Sequence, residues 1–311
     1  MSMLHVDFIN VGDGDAILLR EHTDGRTFSM LVDCGDAPKE PLYSKNNCKS
    51  AVEYLKSIGV DHLDLLVLTH LHINHIGGLH ALLDEVHVAE LWTNYLPDQA
   101  LWERVPRPDA AVGEEVLCAL RMYGSALNRM LQSGTRLRMV QCNASVLLTG
   151  HLIVDVSCAE PGLYAAQKQF FDSILTNAAP PAEFPADELM NNTSVRLLLH
   201  YRGHSVFLPG DISAAYLQQT TNAFSKCDIL KVAHHGDADA LTDDILHALS
   251  PQYAVISVSG SHDCPAQNTL HCLQRQGTQV LVTNAGGTEN PPAQCPGAVR
   301  FAIEEAVTML S

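Results

Sequence analysis

The sequence predicts an α/β protein, on three observations. Short apolar runs of strand length alternate with helical stretches along the 311 residues, the element order of a sheet covered by helices. Apolar runs repeatedly end in polar, chemically capable loops, at Asp33, at residues 70–75, at Asp211, at His234 and His235, and at His262. An α/β protein gathers a site on loops at strand ends in this way. No fixed-period repeat or low-complexity tract interrupts the pattern. The expectation is a single domain over residues 1–311, with an insert at about 93–190 that shapes the site.

Taken in order, residues 4–9 (LHVDFI) alternate as a first strand, and 10–15 (NVGDGD) form a turn by composition. Strands follow at 16–20 and 28–32, then a helix at 50–58 with Gly59 as its stop. Residues 63–68 (LDLLVL) read as one buried strand, with a helix starting near Gly78. Further strands are predicted at 88–92, 136–140, 146–148 and 152–157, and helices at 114–132 and 170–175. Residues 177–187 (NAAPPAEFPAD) read as an exposed, proline-rich loop or a flap over the site. A strand pair surrounds Arg202-Gly203, and strands at 229–233, 253–257, 280–282 and 298–303 complete the reading.

Composition excludes several classes. The formal net charge is −16, from 19 Lys+Arg against 35 Asp+Glu. A large nucleic-acid footprint needs a basic surface, and no Lys/Arg cluster supplies one locally. The N-terminal residues lack a basic and then apolar leader, and no apolar run is long enough to span a bilayer. The nine cysteines contain no CxxC pair and read as reduced thiols. Cys34 and Cys264 lie beside candidate site segments. The expected setting is cytoplasmic.

The sharpest signal is HLHINH at 70–75. In an extended segment, residues two apart point the same way, so His70 and His72 can chelate one cation. A turn into helix then swings Asn74 and His75 toward a neighbouring position. Three imidazoles in six residues suit zinc or a similar ion. Asp211, directly after an apolar strand in FLPGDIS, is the natural anionic ligand. The same Asp also fits a turn or a helix N-cap. One of His234 and His235 should complete the site, with His235 the preferred ligand and the other a hydrogen-bond donor or a substrate contact. Asp33 is expected to support a ligating imidazole, or to be a plain strand-end turn residue.

At this point the residues resemble a known family. THLHINHIGGL is similar to the HxHxDH signature of the metallo-β-lactamase superfamily. The chain further resembles the hydrolase domain of ComEC-type competence proteins and their free-standing relatives. FINVGDGDAILL, LVDCG, NNTSVRLLL, FLPGDI, LKVAHHGD and VLVTNAGGTE match that group's segments in order across residues 4–303. The resemblance implies a four-layer αβ/βα sandwich with metal at the edge between two sheets, and hydrolysis, often of phosphoesters. It carries over His70, His72, His75, Asp211, His234 and His235 as metal-site positions, and Asp33, Asn192 and Ser194 as supporting positions.

The sequence departs from the family in three places. Asn74 stands where the superfamily has an Asp that binds a second metal and orients water, and Asn cannot accept a proton. Cys264-Pro265 falls where relatives often have His-Pro; His262, two residues earlier, is a candidate to compensate. No His precedes the strand leading to Asp211, where the stretch offers Asn191 and Asn192; His151 is a candidate on chemistry alone. The expected function is metal-assisted hydrolysis of a phosphoester, phosphodiester or other small ester. Asp211, Asn74 and His262 are the catalytic candidates, and one or two zinc ions, or manganese, the cofactor. A catalytically impaired ligand- or partner-binding protein and a nuclease are the alternatives. No GxSxG elbow or P-loop supports another hydrolytic class.

Overall fold

The computed structural model describes residues 2–37, 48–106, 112–178, 185–220, 225–259, 264–284, 293–294 and 297–310. Two eight-stranded sheets face each other across an apolar layer. The first contains β1 (Met3–Ile9), β2 (Ile17–Thr23), β3 (Arg26–Val32), β5 (Leu65–Leu68), β7 (Glu90–Thr93), β8 (Arg136–Met139), β17 (Ala298–Ile303) and β18 (Val307–Leu310). Its order is β18-β17-β1-β2-β3-β5-β7-β8. The second contains β9 (Ala144–Leu147), β10 (Leu152–Ser157), β11 (Arg196–Tyr201), β12 (His204–Leu208), β13 (Ile229–Lys231), β14 (Tyr253–Ile256), β15 (Gln279–Val282) and β16 (Ala293–Gln294), in reverse numerical order.

Alternation decides which side chains meet. Val6 and Phe8 of β1, Leu197 and Leu199 of β11, and Phe301 of β17 point into the layer between the sheets. The opposite face of the first sheet, with Leu18, Leu31, Leu66 and Leu68, packs against α1 (Ala51–Ser57), α3 (Leu79–Glu85), α4 (Glu114–Gln132), and the Phe170–Phe171 end of α5 (Pro161–Leu175). The outer face of the second sheet buries Leu230, Ala254 and Ile256 against α7 (Ala214–Thr220), α8 (Asp243–Leu249) and α9 (Gln267–Arg275). The result is the expected four-layer αβ/βα sandwich.

Local chemistry sets the boundaries. Ser50 and Glu53 form a reciprocal capping box that starts α1. The run at 63–68 is two elements, because the Asp64 carboxylate accepts the Ser29 N–H (2.8 Å) and interrupts it. The outer piece, β4 (His62–Leu63), pairs with β6 (His87–Val88) in a separate ladder. The helix expected at 170–175 begins at Pro161, a residue whose fixed φ suits a first turn. A last strand beyond 298–303 was not expected: β18 extends the first sheet by antiparallel pairing with β17. Residues 93–190 supply β8 to one sheet, β9 and β10 to the other, and helices α4 and α5. No described helix is long and apolar enough to cross a membrane.

Candidate metal centre

Strand ends bring the site together. Asp15 follows β1, Asp33 follows β3, and Thr69 to His72 follow β5 and lead into the short α2 (Ile73–Ile76). Asp211 follows β12, His234 and His235 follow β13, and Ser257 follows β14. Asp33, His234 and His235 are held at positive φ (56°, 45° and 52°). Non-glycine residues adopt that conformation rarely and at a cost, and such residues cluster at functional sites.

Hydrogen bonds fix the protons on the imidazoles. His75 Nδ1–H donates to Asp33 Oδ2 (2.8 Å), so its Nε2, 2.9 Å from Asp211 Oδ2, faces inward. His235 Nδ1–H donates to the Ser257 carbonyl (3.0 Å), and its Nε2 lies 3.0 Å from the same Asp211 oxygen. Thr69 Oγ1 donates to Asp33 Oδ2 (2.7 Å) and accepts from His70 Nδ1–H (3.0 Å). His72 Nε2–H donates to Oδ1 of Asp187 (3.0 Å), at the start of α6 (Ala186–Asn192). The free nitrogens, His70 Nε2 and His72 Nδ1, then face each other at 3.0 Å. Acceptors this close need a proton or a metal cation between them. The ligand atoms of His70, His75 and Asp211 all lie within 4.8 Å of one another, so the two groups form one cluster around Asp211.

The other candidates fall around it. The Asn74 amide nitrogen is 3.1 Å from His235 Nε2, and a half-turn about χ2 exchanges it for the oxygen. His234 Nδ1–H donates to Asp239 (2.9 Å), and its Nε2 faces the Asn191 amide (3.4 Å) across the cavity wall. Ser194 Oγ accepts the Asp211 N–H (3.2 Å), while Asn192 Oδ1 accepts from Ser213 N–H and Oγ–H, fixing the loop after Asp211. His151 does not join: it is exposed and stands edge-on to Tyr201, with ring centroids 6.4 Å apart. His262 lies outside the described residues. A cavity of about 300 Å³ opens over the cluster, lined among others by Asp13, Asp36, Glu115, Asp187 and Cys264.

Two residues not singled out from the sequence belong to the site. Lys231, the last residue of β13, is fully buried. Its ammonium donates to Asp211 Oδ1 (2.8 Å) and the Gly210 carbonyl (3.1 Å), and pairs with Asp15. Both lie in segments quoted above, VGDGD and LKVAHH, and a signal existed: an ionisable side chain ending a fully apolar strand requires a partner.

The electrostatics follow from burial and these partners. Burial, with His75 and His72 nearby, holds the His70 pKa well below the ordinary value. Burial also opposes charge on His75, but Asp211 and Asp33 outweigh it and raise its pKa to about 10. For Asp211, burial pushes up and is overcome by His235, Lys231 and His75, which keep it well below the carboxylate range. Burial opposes charge on Lys231 too, but Asp15 and Asp211 raise its pKa above the usual lysine value.

Residues 9–114, about a third of the chain, match the family model "Metallo-beta-lactamase superfamily". The chain is 29% identical over 296 residues to ComE operon protein 3 of Bacillus subtilis (strain 168), covering 91% of this chain and 32% of that protein. It thus spans about a third of that relative's length. Among solved structures, it is similar to the metallo-β-lactamase fold protein YhfI from Bacillus subtilis, at 11% identity and a TM-score of 0.49, covering 91% of this chain and 98% of YhfI. It is also similar to a diphosphatase from the PhnP family, at 12% identity and a TM-score of 0.44, covering 100% of each chain. With its paired sheets, its strand-end histidine motif and these sequence matches, the chain has the metallo-β-lactamase fold and resembles that superfamily along the segments that build the site.

Proposed function

We propose that the protein is a metal-dependent hydrolase acting on a phosphoester or phosphodiester of a small molecule, or on another small ester. The observation that carries this reading is the convergence of imidazole ring nitrogens around one buried carboxylate. Four imidazoles have their outer nitrogens tied to acceptors, and their inner nitrogens meet one another or Asp211. A nitrogen-rich set with one carboxylate suits zinc, with manganese as the alternative. His70, His72, His75, His235 and Asp211 are the residues to hold it, with Asn74 and His234 at the border.

When bound, such a cation makes water a nucleophile near neutral pH and polarises the ester oxygen. The chain's own groups do the rest. Asp33, Thr69, Ser257 and Asp187 fix the ring orientations. His234, tied by Asp239, turns Nε2 toward the cavity beside Asn191, within reach of a bound ester's oxygens. Four carboxylates and no Lys or Arg line the cavity among the described residues apart from the cluster, which favours a small substrate over a nucleic acid. One observation favours a second reading, a binding protein without turnover: Asn74 offers no anionic oxygen where it faces His235.

The test is elemental analysis of tag-free protein beside Asp211→Ala, with turnover measured on p-nitrophenyl phosphate, bis-p-nitrophenyl phosphate, p-nitrophenyl acetate, and single- and double-stranded DNA. Bound metal that is lost in the variant, with cleavage of a small ester, is the expected result. Metal without turnover on any ester leaves the binding reading. DNA cleavage exceeding ester cleavage makes the protein a nuclease, and no metal at all, even after zinc or manganese is added, overturns the proposal.

A further inference from the structure

Lys231 is the group that the hydrolytic reading leaves unused. Burying an ammonium beside a prospective cation site is costly, because like charges repel and the group loses its water. Its contacts say what it does there. It occupies Asp211 Oδ1, so only Oδ2 is turned to His75 and His235.

It also sets the charge. Three buried carboxylates touch the histidine cluster or its lysine: Asp15, Asp33 and Asp211, each no more than 2% exposed. With the imidazoles neutral, as metal ligands must be, the one positive charge against them is the Lys231 ammonium. Two negative charges remain, and one divalent cation cancels them. A second would leave two positive charges in a site with little access to water, where uncompensated charge is expensive. Asn74 adds no charge to offset it. Asp13, Asp36, Glu115 and Asp187 line the cavity itself, where water screens them.

We infer that the buried ion pairs of Lys231 with Asp15 and Asp211 limit the centre to one tightly held divalent cation, the lysine supplying the positive charge that would otherwise draw a second ion. This rests on the metal reading above. Lys231 acts through Asp211 and is a positioning residue: it donates no lone pair to a metal and faces no substrate.

The test is metal content per chain after equilibrium dialysis against zinc, and separately manganese, for the wild type, Lys231→Met and Asn74→Asp. The wild type should hold one ion, with a second bound at least about tenfold more weakly. Lys231→Met adds a net negative charge but no ligand, and should rise to two ions per chain. Asn74→Asp adds both and should also reach two. Two equally tight ions in the wild type would overturn the inference. So would one ion in Lys231→Met alongside two in Asn74→Asp, because the limit would then be a missing ligand rather than charge. A wild type with no ion overturns the metal reading itself, a different failure. If thermal melting shows that Lys231→Met does not fold, Asp15→Asn serves instead. It keeps the lysine on Asp211 and should weaken the single ion roughly tenfold or more; unchanged affinity would overturn the inference.

Discussion

Gly14 lies directly against the backbone of Asn74: a methyl group on Gly14 would sit 1.7 Å from the Asn74 carbonyl oxygen. Gly14 also has φ +113°, a conformation that side chains rarely adopt. The loop after β1 is thus seated on the histidine motif with no room to spare. Gly14→Ala should lower the unfolding free energy by about 3 kcal/mol or more, as backbone strain and overpacking add. Chemical denaturation checks this; a loss under about 1 kcal/mol would mean that the loop moves aside freely.

Asp33 holds both His75 and Thr69. Asp33→Asn keeps the shape and removes the charge that fixes the imidazole. Zinc affinity, measured by competition with a chromophoric chelator, should fall about 10–100-fold. An unchanged affinity would show that packing alone orients His75.

Phe301 of β17 stacks edge-on against Phe8 of β1 (6.1 Å) and Tyr253 of β14 (5.1 Å), joining the two sheets at one point. Phe301→Ala should cost about 3–5 kcal/mol in denaturant melts, with metal content per folded chain unchanged. Metal loss in the folded variant would tie the site to this packing.

Cysteine reactivity should follow burial. Cys118 and Cys142 are exposed, whereas Cys34, Cys158, Cys227 and Cys272 are buried. Burial raises the thiol pKa of Cys227 to about 12 and that of Cys34 well above the usual value, disfavouring the reactive thiolate. Brief alkylation at pH 8 followed by peptide mapping should label Cys118 and Cys142 first, and the buried four only in denaturant. Early labelling of Cys34 would mean that the strand end beside Gly35 opens in the native state.

The strand-end histidines were legible in the sequence because their spacing carries chemistry: His70 and His72 are two apart in extended backbone, and His75 follows a turn. Asp211 and His235 were legible as capable residues after apolar strands, and both meet at one oxygen. The layers were legible because each strand buries a defined face. Lys231 and Asp15 were missed: a lysine ending an apolar strand signals the need for a partner, but which acids supply it emerges only when the strand ends are brought together. His151 shows the reverse error: a chemically able residue on β10's approach stands edge-on to Tyr201 and joins no ligand group among the described residues. The break at Asp64 depended on a partner, Ser29, that is distant in sequence.

The contacts that close the site join residues from its two sheets, far apart along the chain: His75 and Asp211 are separated by 136 positions, Asn74 and His235 by 161. Closing such long loops is slow, so these contacts form late on the route to the native state. A cation binding there finds its full ligand set only after both sheets have docked. It should therefore leave the refolding rate almost unchanged and act on the reverse step, slowing unfolding. The availability of metal would then set how long each folded molecule persists rather than how quickly it forms.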